Sequence, residues 1–139
     1  MSAAALYFGA ALHRAHAVLQ QRLDERLGDW HGLSLGGYHL LQALEATPGL
    51  ALPALARALL QPMVPTLRQV LPMEKTGLLE RVDGRVRLRP AGRQLLVEAR
   101  QTVEAAYARA LQAPGVEADR VAVCLPLLEQ LALAVRGMR

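Results

Sequence analysis

The run Leu78-Leu79-Glu80-Arg81-Val82-Asp83-Gly84-Arg85-Val86-Arg87-Leu88-Arg89-Pro90-Ala91-Gly92 decides the fold of this chain. Asp83-Gly84 supplies two neighbouring residues that tolerate positive φ, which a two-residue hairpin turn needs if it is to follow the strand twist. Beyond the turn, Val86 and Leu88 alternate with Arg85, Arg87 and Arg89. A period of two places the apolar pair on one face and the guanidinium groups on the other. Leu78–Val82 reads as the partner strand. Pro90-Ala91-Gly92 then opens a helix, because a proline in the first turn forfeits no helical bond.

On the N-terminal side of the hairpin, Pro53 fits a first helical position and is followed by an apolar face of Leu55, Ala56 and Leu59. Gln61-Pro62 turns the chain into a further helix over 63–76, closed by Gly77. Two short helices, a tight turn and a hairpin make a winged helix-turn-helix. Farther out, Ser34 caps a helix carrying Tyr38, Leu40, Leu41 and Leu44, and Thr47-Pro48-Gly49 stops it. Residues 3–28 read as one long helix capped by Gly28, with Trp30 in the loop that follows. Downstream, a long helix runs to about Gln112, Ala113-Pro114-Gly115 breaks it, and a last apolar helix spans Asp119 to Val135 with a kink expected at Pro126. The fold class is mainly α with a small β-hairpin wing, a winged helix-turn-helix flanked by long helices.

The 139 residues suit a single domain with a real core. The net charge is +4, with Lys75 as the one lysine among the cations. Residues 52–93 hold seven arginines and Lys75 against Glu74, Glu80 and Asp83, a local excess of five. The segment before them carries three arginines and four acids, and the segment after them five of each. A basic excess confined to the winged helix points to a polyanion partner.

Several classes of function lack their signatures. There is no phosphate-binding glycine loop, no nucleophile elbow and no dinucleotide fingerprint, so an enzyme is not expected. No cofactor is implied. His13 and His16 are two potential ligands three residues apart, too few for a metal site. The longest apolar run, Val121–Val135, is interrupted by Pro126, Glu129 and Gln130, so no membrane span is expected. The N-terminus lacks a basic stretch before its apolar run. The single cysteine, Cys124, forms no internal disulfide, and its apolar surroundings favour a buried, inert thiol. Together these point to a cytoplasmic protein.

The motifs Leu55-Ala56-Arg57, Glu74-Lys75-Thr76-Gly77-Leu78-Leu79-Glu80-Arg81, Asp83-Gly84-Arg85 and Leu88-Arg89-Pro90-Ala91-Gly92 resemble the MarR family of bacterial transcription regulators. The motif match covers about residues 49–100. Thr76 stands where the family usually has arginine, Arg89 where it has threonine, and the wing is a few residues short. The resemblance implies a chain organised as 1–33 and 94–139 for dimerisation and 34–93 for DNA binding. It also implies a homodimer on a pseudo-palindromic double-stranded operator, ligand-responsive and of repressor type. The apolar residues of the last helix, among them Leu125, Leu127, Leu128, Leu131, Leu133 and Val135, agree with dimer burial.

In such a regulator Arg68 forks onto a guanine, Gln69 onto an adenine, and Thr66 adds a hydroxyl or methyl contact. The wing arginines Arg85 and Arg87 suit a narrow, negative minor groove or its flanking phosphates. Arg57, Lys75 and Arg89 are available to phosphates. The family's small aromatic or acidic effectors bring His13, Trp30 and His39 forward as pocket candidates, with His31 beside them. One feature stands against DNA reading. Pro72 deletes a helical hydrogen bond and predicts a kink or an early end near Leu71. The apolar residues Met63, Leu67, Val70 and Leu71 also lie out of phase with the family pattern. Both point to a second reading, a winged helix with degenerate DNA reading that works as a dimerising or partner-binding module. The course of helix 63–76 separates the two.

Overall fold

The computed structural model describes residues 3–138. In chain order the elements are α1 (Ala3–His31), α2 (Leu35–Ala46), β1 (Leu50–Ala51), α3 (Leu52–Ala58), α4 (Met63–Lys75), β2 (Leu79–Val82), β3 (Arg85–Leu88), α5 (Pro90–Leu111) and α6 (Ala118–Arg136). Among the described residues, 3–103 form one compact unit and 104–138 a second.

The core of the first unit is built on α2. Its Leu40, Leu41 and Leu44 are fully buried, together with Leu23 and Leu27 of α1, Leu55 of α3, Val70 of α4, Leu79 and Val86 of the sheet, and Leu96 and Ala99 of α5. The start of α2 is satisfied locally. Ser34 Oγ accepts from the Gly37 amide at 2.9 Å, the expected N-cap of α2. Asp24 of α1 accepts from the Leu35 amide at 2.7 Å and joins the two helices. The cap of α1 differs from the sequence expectation. The helix runs through Gly28 to His31, and Gly32, at φ 65°, ends it. Trp30 therefore sits in the last turn of α1 rather than in a loop, and is 77 % exposed.

The wing follows the hairpin expectation. β2 and β3 pair antiparallel with Val82 opposite Arg85, leaving Asp83-Gly84 as a two-residue turn with φ of 53° and 74°. Both angles are positive, as a type I′ turn requires. Val86 and Leu88 are buried and the intervening arginines exposed. A third strand, absent from the sequence reading, completes the sheet. Leu50 and Ala51 pair with Val86 and Arg85, giving the order β1-β3-β2. Two residues are too few for any periodicity to register.

In the second unit, α6 continues through Pro126 and has no buried residue. Its exposed residues include Val123, Leu125, Leu127, Leu128, Leu133 and Val135. Cys124 is exposed rather than buried, against the expectation from its apolar neighbours. The N-terminal half of α1 is similar, with Leu6, Tyr7, Phe8, Leu12 and Val18 all exposed. No helix among the described residues is long and apolar enough to cross a membrane.

Candidate nucleic-acid interface

α4 is continuous over Met63–Lys75, so Pro72 neither ends it nor splits off its last turn. Pro72 removes the amide that would bond to the Arg68 carbonyl. That position faces out, where water can serve the carbonyl, and the Pro72 carbonyl still accepts from the Thr76 amide at 3.0 Å. Pro65 lies in the first turn, where amides have no helical partner.

The phase of α4 differs from the one the apolar residues suggested. Its buried residues are Thr66 and Val70, with Met73 half-buried on the same side, while Met63 and Leu71 are 46 % and 44 % exposed. A threonine thus takes a core position. Thr66 is fully buried, so it is unavailable to a base edge. Its hydroxyl donates to the Pro62 carbonyl at 2.9 Å and accepts from Gln61 Nε2 at 2.8 Å. The same Gln61 amide donates to Gln69 Oε1 at 2.8 Å. Gln69 is half-buried and faces Gly36, against which its amide nitrogen packs. Bidentate reading of adenine uses both ends of the amide, and here one end is committed to Gln61. Thr66 therefore braces the turn between α3 and α4 instead of reading a base, and Gln69 joins the same network through Oε1. Arg68 alone of the three points to solvent.

The turn itself is strained at Leu60, whose φ is 57°. A leucine in the left-handed region costs roughly 1–2 kcal/mol. The turn is held by the Leu60 amide to the Arg57 carbonyl at 3.1 Å and the Gln61 amide to the Ala56 carbonyl at 3.1 Å.

The wing arginines are exposed on the outer face of β3. Arg85 donates from one terminal nitrogen to the Gly49 carbonyl at 2.9 Å, which fixes its stem against the start of β1. A guanidinium has five N–H donors, so most of its capacity remains. Arg87 passes the same glycine, its Nε 3.8 Å from where a Cβ on Gly49 would lie. Arg81 is different. It forms a two-pronged pair with Glu74 at 2.7 and 2.9 Å, which ties β2 to the end of α4. The hydrogen bond and the charge of each partner hold the Glu74 carboxyl below its ordinary pKa and raise that of Arg81. Removing this neutral pair from the count leaves the local excess of five unchanged, spread over Arg57, Arg68, Lys75, Arg85, Arg87, Arg89 and Arg93 against Glu80 and Asp83.

The three effector candidates are not gathered together. His13 and Trp30 are exposed on α1. His39 is exposed on α2, 3.4 Å from Gln42 Oε1, and borders an open groove of about 640 Å³ walled by Ala43, Leu50, Leu59 and Leu60. His31 has a structural partner, with Nε2 2.7 Å from the Thr102 hydroxyl of α5.

No protein-family profile and no curated protein sequence matches the chain. Solved structures do. A MarR family protein from Mycobacterium tuberculosis is 29 % identical, covering 90 % of this chain and 93 % of its own, with a TM-score of 0.72. The same protein in complex with DNA matches at 29 % identity over 88 % of this chain and 95 % of its own, with a TM-score of 0.75. A MarR family transcriptional regulator from Silicibacter pomeroyi shares the fold at a TM-score of 0.82, with 21 % identity over 94 % of both chains. The hairpin, the helix-turn-helix and the motifs between Leu55 and Gly92 are thus similar to those of solved MarR family proteins, and the chain shares their winged helix-turn-helix fold.

Proposed function

We propose that the chain is a cytoplasmic, homodimeric, sequence-specific DNA-binding transcription regulator, acting as a repressor that small aromatic or acidic effectors release. The observation that carries this is the unbroken α4, which turns Arg68 outward in a unit whose wing exposes Arg85 and Arg87. The mycobacterial relative has been solved with DNA, with salicylic acid and with p-aminosalicylic acid, which supports the assignment of both partner classes. Arg68 reads a base in the major groove, while Arg85 and Arg87 hold phosphates or the minor-groove edge. Residues 1–33 and 94–139 pair two copies, covering the apolar side chains of α1 and α6. Effector contact is assigned to the groove beside His39, and its occupation alters the spacing of the two heads.

Sedimentation of the full chain with and without a duplex tests this. Two chains in free solution and two per bound duplex are expected. A stable monomer, or no complex with any duplex at low salt, would overturn it.

A further inference from the structure

The outward arc of α4 carries more information than its one arginine. At about 100° per residue, Leu71, Val64, Lys75, Arg68, Pro72 and Pro65 fall in that angular order on one side of the helix, with Arg68 near the middle. All six are exposed, Val64 at 58 % and Leu71 at 44 %. Four of them have no side-chain hydrogen-bonding group, the other two are cations, and no acid interrupts the arc. A partner for this surface must offer anionic rims and, between them, one strong acceptor pair beside apolar knobs. The major groove of thymine-containing DNA offers all three: phosphates, the guanine O6/N7 pair and the thymine 5-methyl group.

Resting on the regulator reading above, we propose that each half-site is read as a guanine flanked by thymines, with Arg68 on the guanine and Val64 and Leu71 on thymine methyls. Polar readout of adenine is absent, because Gln69 is held by Gln61 and Thr66 is buried. Val64 and Leu71 are separated by seven residues, roughly 10 Å along the helix. At about 3.4 Å per base step, the contacted methyls lie within about three base pairs of one another.

The test starts with selection of duplexes by the full-length chain from a random library. The recovered site is then remade with deoxyuridine for thymidine, which removes only the methyl, or with 7-deazaguanine, which removes the N7 acceptor. Each contacted methyl lost should weaken binding about fourfold. The double variant Val64→Ala, Leu71→Ala should bind thymine and uracil duplexes alike while keeping its dependence on guanine N7. Both residues are exposed, so the fold is not at stake. Equal wild-type affinity for thymine and uracil duplexes, or unchanged discrimination in the double variant, overturns this inference and leaves the regulator reading standing. Failure to bind any duplex, with the arc occupied by a protein partner instead, overturns both.

Discussion

Alanine at Gly92 should destabilise the chain, whereas the same change at Gly9 should not. Gly92 stands in the first turn of α5. A Cβ there would overlap the Leu78 carbonyl oxygen and lie 3.1 Å from its carbon and 3.3 Å from Leu88 Cδ2. The backbone at Leu78 is held on both sides, because its carbonyl accepts from the Arg89 amide at 2.9 Å and its N–H donates to the Met73 carbonyl at 2.9 Å. Relief therefore requires α5 to move, and α5 carries the fully buried Leu96 and Ala99. Overpacking against side chains costs about 1–3 kcal/mol. The obstacle here is backbone held from both sides, so about 3 kcal/mol is expected. For a chain of this size that is a fall in Tm of roughly 10 °C. Gly9 lies inside α1 with nothing within 4 Å of an added Cβ. There the ordinary helix preference for alanine applies, a gain of about 0.5–1 kcal/mol. Thermal unfolding of both variants at one protein concentration reads the contrast. A Gly92→Ala protein as stable as wild type would refute the close approach of α5 to Leu78.

Three further outcomes follow from the same contacts. Thr66→Val keeps the shape of the buried side chain but leaves the Pro62 carbonyl and Gln61 amide short of a partner, a loss of about 1–2 kcal/mol in urea unfolding. Leu60→Asn, better suited to φ 57° and at a site 68 % exposed, should raise the urea midpoint modestly, by about 0.5 kcal/mol of stability. Glu74→Gln should lower stability at neutral pH by removing a charge from the Arg81 pair. Because the pair depresses the Glu74 pKa, its contribution is present above the unfolded-state pKa and lost as pH falls through the folded one. The two proteins should therefore converge on acidification.

The wing was legible from residue types alone, because Asp83-Gly84 and the alternation after it admit one local geometry. The helix-turn-helix was legible in outline for similar reasons. The phase of α4 was not. Met63 and Leu71 are apolar and Thr66 polar, so hydropathy chose the wrong face. What decides the matter is non-local: a hydroxyl satisfied by the Pro62 carbonyl and Gln61 costs little to bury, whereas the apolar residues left outside have no cost that a single chain reveals. Pro72 does not end the helix for a related reason, since its lost hydrogen bond falls on the solvent side. Glycine is a good stop signal and Gly28 offers one for α1, yet Gly32 holds the positive φ. Among the site residues, Arg68, Arg85 and Arg87 are exposed and Gln69 is half-buried, whereas the buried Thr66 serves the scaffold.

The central claim is that two winged helices dock on one duplex through the cations concentrated between Arg57 and Arg93. Affinity for the selected duplex, followed by titration across salt concentrations, measures this directly. If each head neutralises three to five phosphates, log affinity should fall against log salt with a slope of about −5 to −9. Arg85→Ala, removing one contact per head, should flatten that slope by about two. A slope near zero, or one that Arg85→Ala leaves unchanged, would contradict the account.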